Sequence, residues 1–168
     1  MHTLILNNDA SPLSVIPLST VEWQDAITYM YLDRVTVLEW YDDWIVRSES
    51  WETRVPAVIM LKKFVKRNLR PRFSKYNVLL RDHFECQYCG TGLSRDSATM
   101  DHVIPTSRGG KTHWKNIVSS CGACNTRKGN RLIDPRNTPR IPTYYELAAV
   151  RKSMGIEVSH PSWQDYIS

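Results

Sequence analysis

Four cysteines carry the clearest chemistry. Cys86 and Cys89 have two residues between them in RDHFECQYCG (81–90), and Cys121 and Cys124 repeat that gap in SCGACNTRKG (120–129). They are the only 4 cysteines among 168 residues. Each short turn can present two sulfurs from one side, so the pairs together place four thiolates tetrahedrally around Zn²⁺. Disulfides are the competing use, and the weaker one in a reducing compartment. A site closed by four sulfurs has no open position for water or substrate, so zinc here is expected to fold the protein and do no chemistry. The 31 residues between Cys89 and Cys121 would be held by that closure.

Inside the closed segment lies MDHVIPTSRGG (100–110), followed by HWKNIVSSCGACNTRKGNR (113–131). Taken singly its residues favour structure: an Asp-His pair is common, a lone Asn is usually a turn residue, and Cys-x-x-Cys-Asn fits any zinc knuckle. In this order, framed by the cysteines and accompanied by Arg108-Gly109-Gly110 and Arg127-Lys128-Gly129, they resemble the HNH endonuclease motif. That motif is a ββα-metal nuclease unit, here of the cysteine-bearing bacterial and phage type. NNDASPLSVIPL, VPAVIML and PSWQDYIS extend the resemblance across most of the chain.

By this resemblance His102 is the first letter of the motif, Asn116 the second and Asn125 the third, where histidine is often found. It implies a catalytic set of Asp101, His102, Asn116 and Asn125. Asp101 and Asn125 would bind one divalent cation, Mg²⁺ or Mn²⁺, with His102 as general base. Asn116 would fasten the loop and orient His102 by hydrogen bonding.

These residue types suit phosphodiester hydrolysis, which needs an activated water on one side and a stabilised leaving oxygen on the other. An imidazole with an unperturbed pKa of about 6.5 can take a proton from water near neutral pH. A hard cation on oxygen ligands can neutralise charge on the scissile phosphate.

The implied protein is a hydrolase that nicks or cuts double-stranded DNA and leaves a 5′ phosphate. One such site cuts one strand at a time, so a monomeric nickase and a homodimer are both open. RNA and branched junctions also remain open, because the metal site addresses phosphate and not base. The rival from another class is a zinc-stabilised module that binds nucleic acid without cutting. It explains the cysteines and the basic residues but leaves Asp101, His102 and Asn125 idle.

Charge supports a polyanionic partner. The net charge is +5, yet residues 1–52 hold nine acids against two bases and residues 53–168 hold eight acids against twenty bases. No acid lies between Arg54 and Arg81, where Lys62, Lys63, Lys66, Arg67, Arg70, Arg72 and Lys75 gather. Such an excess attracts nucleic acid through counterion release. Lys62, Lys63, Lys66, Arg67, Arg70 and Arg72 are therefore expected to grip phosphates, together with Arg108 and with Arg127, Lys128 and Arg131, the last three either facing phosphates or folding against acids. The alternative is a solvated basic face. His113, beside the motif, is expected at the surface or on the substrate side, and His2, His83 and His160 have no metal-ligand spacing.

The elements that position these groups read as α+β, with a small N-terminal α+β unit followed by a zinc-stabilised ββα-metal domain. The expected boundaries are 1–75 for the first unit with its basic arm at about 54–75, 76–135 for the nuclease domain, and 136–168 for a C-terminal extension. Thr3 to Leu6 and Leu13 to Leu18 suit strands. Ser19 can cap a helix with Glu22 three residues on, placing Val21, Ala26, Ile27 and Met30 on one face. Val35 to Trp40 and Trp44 to Val46 suit two strands around a polar turn at Tyr41-Asp42-Asp43. The period of residues 55–65 decides nothing.

The aromatics Trp23, Tyr29, Tyr31, Trp40, Tyr41, Trp44 and Trp51 are expected in a core, since the interleaved acids would repel phosphates. Thr99 to Ile104 suits a strand, on which Asp101 and His102 would point to opposite faces unless the strand ends or bulges. Thr143 and Glu146 form a capping box that opens a short helix ending near Gly155. No apolar run approaches the roughly 20 residues needed to span a bilayer, which, with the absence of a secretory pattern at the start, places the chain in the cytoplasm.

Overall fold

The computed structural model describes residues 2–167, which form two compact units. The first comprises the described residues up to 68 together with those from 154 onward, and the second residues 69–153. The division between them thus falls inside the basic arm. The stretch expected as one C-terminal extension is shared, its helix in the second unit and its last residues in the first.

The first unit is built on a four-stranded sheet of β1 (His2–Leu6), β2 (Thr20–Glu22), β3 (Val35–Ser48) and β4 (Trp51–Leu61), ordered β2-β1-β4-β3. β1 runs parallel to β4, with Leu4 opposite Val58, and the other two pairings are antiparallel. Central position explains why residues 55–65 had no readable period: Val55, Ala57, Val58 and Ile59 are buried in succession, as in a strand covered on both faces. Pro56 lacks a ladder donor, and the β3–β4 register is irregular beside it, between Trp40 and Ile45.

Helix α1 (Trp23–Tyr31) buries Ala26 and Ile27. It begins later than the Ser19 cap predicts, with Glu22 at its N-cap and no side-chain capping bond. Ser19 instead serves the sheet, its hydroxyl donating to the Ile5 carbonyl at 3.0 Å and its own carbonyl accepting from Ile5 N–H at 3.1 Å. The run expected as a strand at Leu13 to Leu18 holds only an isolated Val15–Leu18 bridge and a cis Ile16–Pro17 bond.

β3 is one continuous edge strand through Tyr41-Asp42-Asp43, where a turn was expected. An edge strand can carry adjacent acids because one of its sides faces solvent. The aromatics are correspondingly less internal than expected. Tyr41 alone of the seven is buried; Tyr29 packs half-buried against the core of Ile5, Ala26, Val35 and Ile59, while Trp23 pairs with Trp44 at 5.9 Å and Tyr31 with Trp51 at 5.2 Å. The end of the chain returns to this unit, where buried Trp163 donates its indole N–H to the Ala57 carbonyl at 2.8 Å.

The second unit opens with α2 (Lys75–Arg81), capped by the Ser74 hydroxyl. A hairpin of β5 (Ala98–His102) and β6 (Ile117–Cys121) follows, then α3 (Gly122–Lys128) and α4 (Tyr144–Ser153). β5, β6 and α3 in succession make a ββα unit. α4 has the expected capping box, Thr143 Oγ1 accepting from Glu146 N–H at 3.2 Å and Glu146 Oε2 accepting from Thr143 N–H at 2.9 Å.

The core of this unit gathers Leu79, Leu93 and Ala98 around Cys86 and Cys124, with Phe84 and Tyr88 against it. A buried ion pair anchors α2: Arg81 grips both Asp82 oxygens at 2.8 and 3.0 Å. The same guanidinium donates to the carbonyls of Trp114 at 2.8 Å and Ile117 at 2.7 Å, while Asp82 accepts from Ser119 N–H at 2.7 Å. α2 is thereby locked to the start and middle of β6.

Candidate active site and metal centre

The sulfurs of Cys86, Cys89, Cys121 and Cys124 all lie within 4.8 Å of one another, and none forms a disulfide. Tetrahedral bonds of about 2.3 Å imply sulfur–sulfur separations of about 3.8 Å, and Cys89 Sγ stands 3.9 Å from Cys121 Sγ. The local sequence builds each half. Cys86 and Cys89 bracket a turn closed by Gly90 N–H on the Cys86 carbonyl at 2.9 Å, and Cys121 caps α3 with its sulfur accepting from Cys124 N–H at 3.4 Å.

The thiols also interact electrostatically. Burial raises Cys86, but N–H groups of Cys89, Cys121 and Tyr88 outweigh it and bring the thiol down to about 6. Burial, neighbouring sulfurs and the Cys86 charge push Cys124 up to about 12. Four thiolates cannot share so small a space without a cation among them, so the donor set fits a divalent soft-metal site.

The loop between β5 and β6 is fastened by Asn116, which is buried. Its Oδ1 accepts from Ile104 N–H at 2.8 Å, and its Nδ2 donates to the carbonyls of Ile104 at 3.1 Å and Lys111 at 3.0 Å. Gly109 takes φ +84°, and a Cβ on Gly110 would stand 1.7 Å from the Ile104 carbonyl oxygen. The two glycines are therefore required by a left-handed turn and by a close backbone approach.

The His102 ring does not take its bond from Asn116, as the sequence suggested. Its Nε2 lies 2.8 Å from the Thr112 hydroxyl, one residue beyond the Lys111 carbonyl that Asn116 holds. All three Asn116 side-chain bonds go to loop backbone, so Asn116 can influence His102 only through the loop.

Asp101 and Thr99, two residues apart on β5, both meet side chains of α3. Asn125 Nδ2 donates to Thr99 Oγ1 at 3.1 Å, and Lys128 Nζ lies 3.1 Å from Asp101 Oδ2 and 3.3 Å from Oδ1. Asn125 and Lys128 are three residues apart and so share one helix face. Lys128 also donates to the His102 carbonyl at 2.6 Å. The second donor to Asp101 is the Tyr88 hydroxyl, on Oδ2. Asp101 itself is buried, whereas His102 is partly open. Carboxylate and amide oxygens are hard donors of the kind that suit a hard cation, while the Lys128 ammonium already compensates the Asp101 charge.

Lys128, expected among the cations facing phosphate, is 2% exposed and takes no such part. Its position on the inner face of a short helix outweighs the usual exposure of lysine, because Asp101 compensates its charge. Others of the basic residues are also engaged. Arg67 folds back on Asp9 at 3.1 Å, Lys62 pairs with Asp33, and Arg131 lies past the end of α3 with its guanidinium on the carbonyls of Arg127 and Lys128. Lys63, Lys66, Arg70, Arg72, Arg108 and Arg127 have exposed side chains, with Arg127 also 3.3 Å from Cys124 Sγ.

Sequence reasoning passed over Tyr88, Thr112 and the Arg81–Asp82 pair. Only the position of Tyr88 inside Cys-x-x-Cys, and the adjacency of Thr112 to the loop glycines, could have marked them.

A ββα unit carrying an Asp-His pair at a strand end, beside four clustered cysteines, defines a nuclease-type metal domain. Residues 86–138 match the HNH endonuclease family, and residues 3–68 match the HNH endonuclease-associated N-terminal domain. The chain is thus similar to HNH endonucleases over both of these stretches. A 57-residue stretch, 33% of this chain, is 35% identical to the CRISPR-associated endonuclease Cas9 of Corynebacterium diphtheriae. That stretch covers 5% of the relative's own length, so the likeness concerns one domain of a much larger protein. No helix among the described residues is long and apolar enough to cross a membrane.

Proposed function

We propose that the chain is an endonuclease that hydrolyses phosphodiester bonds of double-stranded DNA, with zinc on the four cysteines as scaffold and one Mg²⁺ or Mn²⁺ at Asp101 and Asn125 for catalysis. The observation that carries this reading is the meeting of β5 and α3, where Asn125–Thr99 and Lys128–Asp101 bonds set an amide and a carboxylate on facing surfaces within the HNH match. A divalent cation bound there would neutralise charge on the scissile phosphate and the leaving 3′ oxygen.

His102 takes the proton from the attacking water. It is suited to this by its partial exposure and by the Thr112 hydroxyl that holds its ring. Asn116 and Gly110 keep the loop that carries Thr112 in place. Arg108 and Arg127, exposed on the same unit, hold phosphates flanking the cut. Lys63 and Lys66 serve binding from the arm of the other unit. The four-sulfur site offers no open position and stays outside the reaction.

Supercoiled plasmid tests the reading. With Mg²⁺ or Mn²⁺ the protein should nick or linearise it, and His102→Ala should still bind DNA while cutting at least about 100-fold more slowly. Equal cutting by wild type and His102→Ala would reject the mechanism, and binding without cutting under any divalent metal would reject the enzyme.

A further inference from the structure

One group of the site has no role in the reaction above and yet touches its centre. Tyr88 is the residue just before Cys89, so its backbone lies within the turn that the four-cysteine site closes. Its ring packs against the Cys86–Cys124 core, and its hydroxyl donates to Asp101 Oδ2, 13 residues along the chain. The two cation positions are thus joined by a single side chain with one end fixed in each.

We infer that Tyr88 is a positioning residue through which the closed cysteine site holds Asp101 in its metal-binding orientation. The inference rests on the assignment of Asp101 as a metal ligand made above.

The chemistry separates Tyr88 from the other donor to Asp101. Lys128 brings a full positive charge, which opposes a second cation at the same carboxylate. The Tyr88 hydroxyl is an uncharged donor on Asp101 Oδ2. It can therefore fix the carboxylate without competing for it. A carboxylate oxygen has lone pairs for both a hydrogen bond and a metal. Hydrogen bonds to metal-ligating carboxylates are worth about 10- to 100-fold in metal affinity. The rigid support at the far end of Tyr88 is the metal-closed turn, so loss of that metal should loosen Asp101 as well.

The test is Mn²⁺ binding by full-length, zinc-loaded protein, followed by electron paramagnetic resonance of free Mn²⁺ for wild type, Asp101→Ala and Tyr88→Phe. Tyr88→Phe keeps the ring and removes only the hydroxyl. The expected result is Mn²⁺ binding weakened about 10-fold or more, with zinc content and melting temperature close to wild type. Mn²⁺ affinity of Tyr88→Phe within about 2-fold of wild type, while Asp101→Ala loses binding, would overturn the role of Tyr88 and leave the metal assignment standing. Unchanged binding by Asp101→Ala would instead overturn the metal assignment, and this inference with it.

Should Tyr88→Phe lose zinc, 3-fluorotyrosine at position 88 keeps the hydroxyl and reports on it. Its fluorine resonance should move when Mg²⁺ is added and stay still in the Asp101→Ala background. A resonance indifferent to Mg²⁺ in the otherwise wild-type chain overturns the proposal.

Discussion

The four-cysteine cluster and the metal position proposed at Asp101 are built on opposite plans. The cysteine site takes identical soft ligands from two short turns, with two residues between the members of each pair, and its sulfurs converge through local backbone. The Asp101 position takes unlike groups from a strand and a helix, and its carboxylate is already held by a buried ammonium and a phenol. The first plan gives a permanent fixture. The second, on the proposed reading, would let a divalent ion share or replace the charge that Lys128 now supplies.

Removing the cysteine site should have the largest effect, because structural zinc in small domains contributes about 10–16 kcal/mol of binding free energy that is also folding free energy. Cys124→Ser is expected to abolish cooperative unfolding of residues 69–153, read by calorimetry. A normal melt with no bound metal would reduce the cysteines to ordinary core residues.

Lys128→Met comes next and distinguishes the second plan. Breaking a buried ion pair costs about 3–5 kcal/mol, so the variant should melt earlier in metal-free buffer. Added Mn²⁺ should then stabilise it more than it stabilises wild type, since the buried Asp101 charge is no longer compensated. Equal Mn²⁺ stabilisation of both proteins would mean that Lys128 and the divalent ion do not share the carboxylate.

Gly110→Ala probes the loop between the positions. With a Cβ 1.7 Å from the Ile104 oxygen, the backbone must move, and a displacement near 1 Å can cost about 100-fold in rate. Cleavage should fall far more than zinc content. Asn116→Ala is expected to cost about 1–3 kcal/mol, the penalty of leaving buried groups of the loop unpaired, measured by denaturant unfolding. Its cleavage rate should fall with the loss of loop order, and a rate equal to wild type would detach Asn116 from the site.

The same contrast explains what the sequence could disclose. The cysteine ligands were legible because their spacing is local and their chemistry has few alternatives. His102, Asn116 and Asn125 were legible only as a motif, and their partners were not. Thr112 and Tyr88 meet their targets 10 and 13 residues away through the fold of a loop and a turn, which no periodicity reports. For Lys128 the sequence left phosphate contact and folding against an acid both open, and the choice of Asp101 is set by which face of α3 packs on β5.

In the first unit the central strand β4 lost its period by being buried on both faces, and the acids of β3 imitated a turn because an edge strand tolerates them. The α4 capping box, by contrast, was readable because both partners lie within one turn of helix.

The most direct measurement follows plasmid cleavage and bound zinc together while the protein is dialysed into metal-free buffer and Mg²⁺ is then returned. Two separate cation sites predict that cutting disappears and is restored by Mg²⁺ alone, with one zinc per chain retained throughout. Cutting that persists without Mg²⁺, or returns only when zinc is supplied, would contradict it.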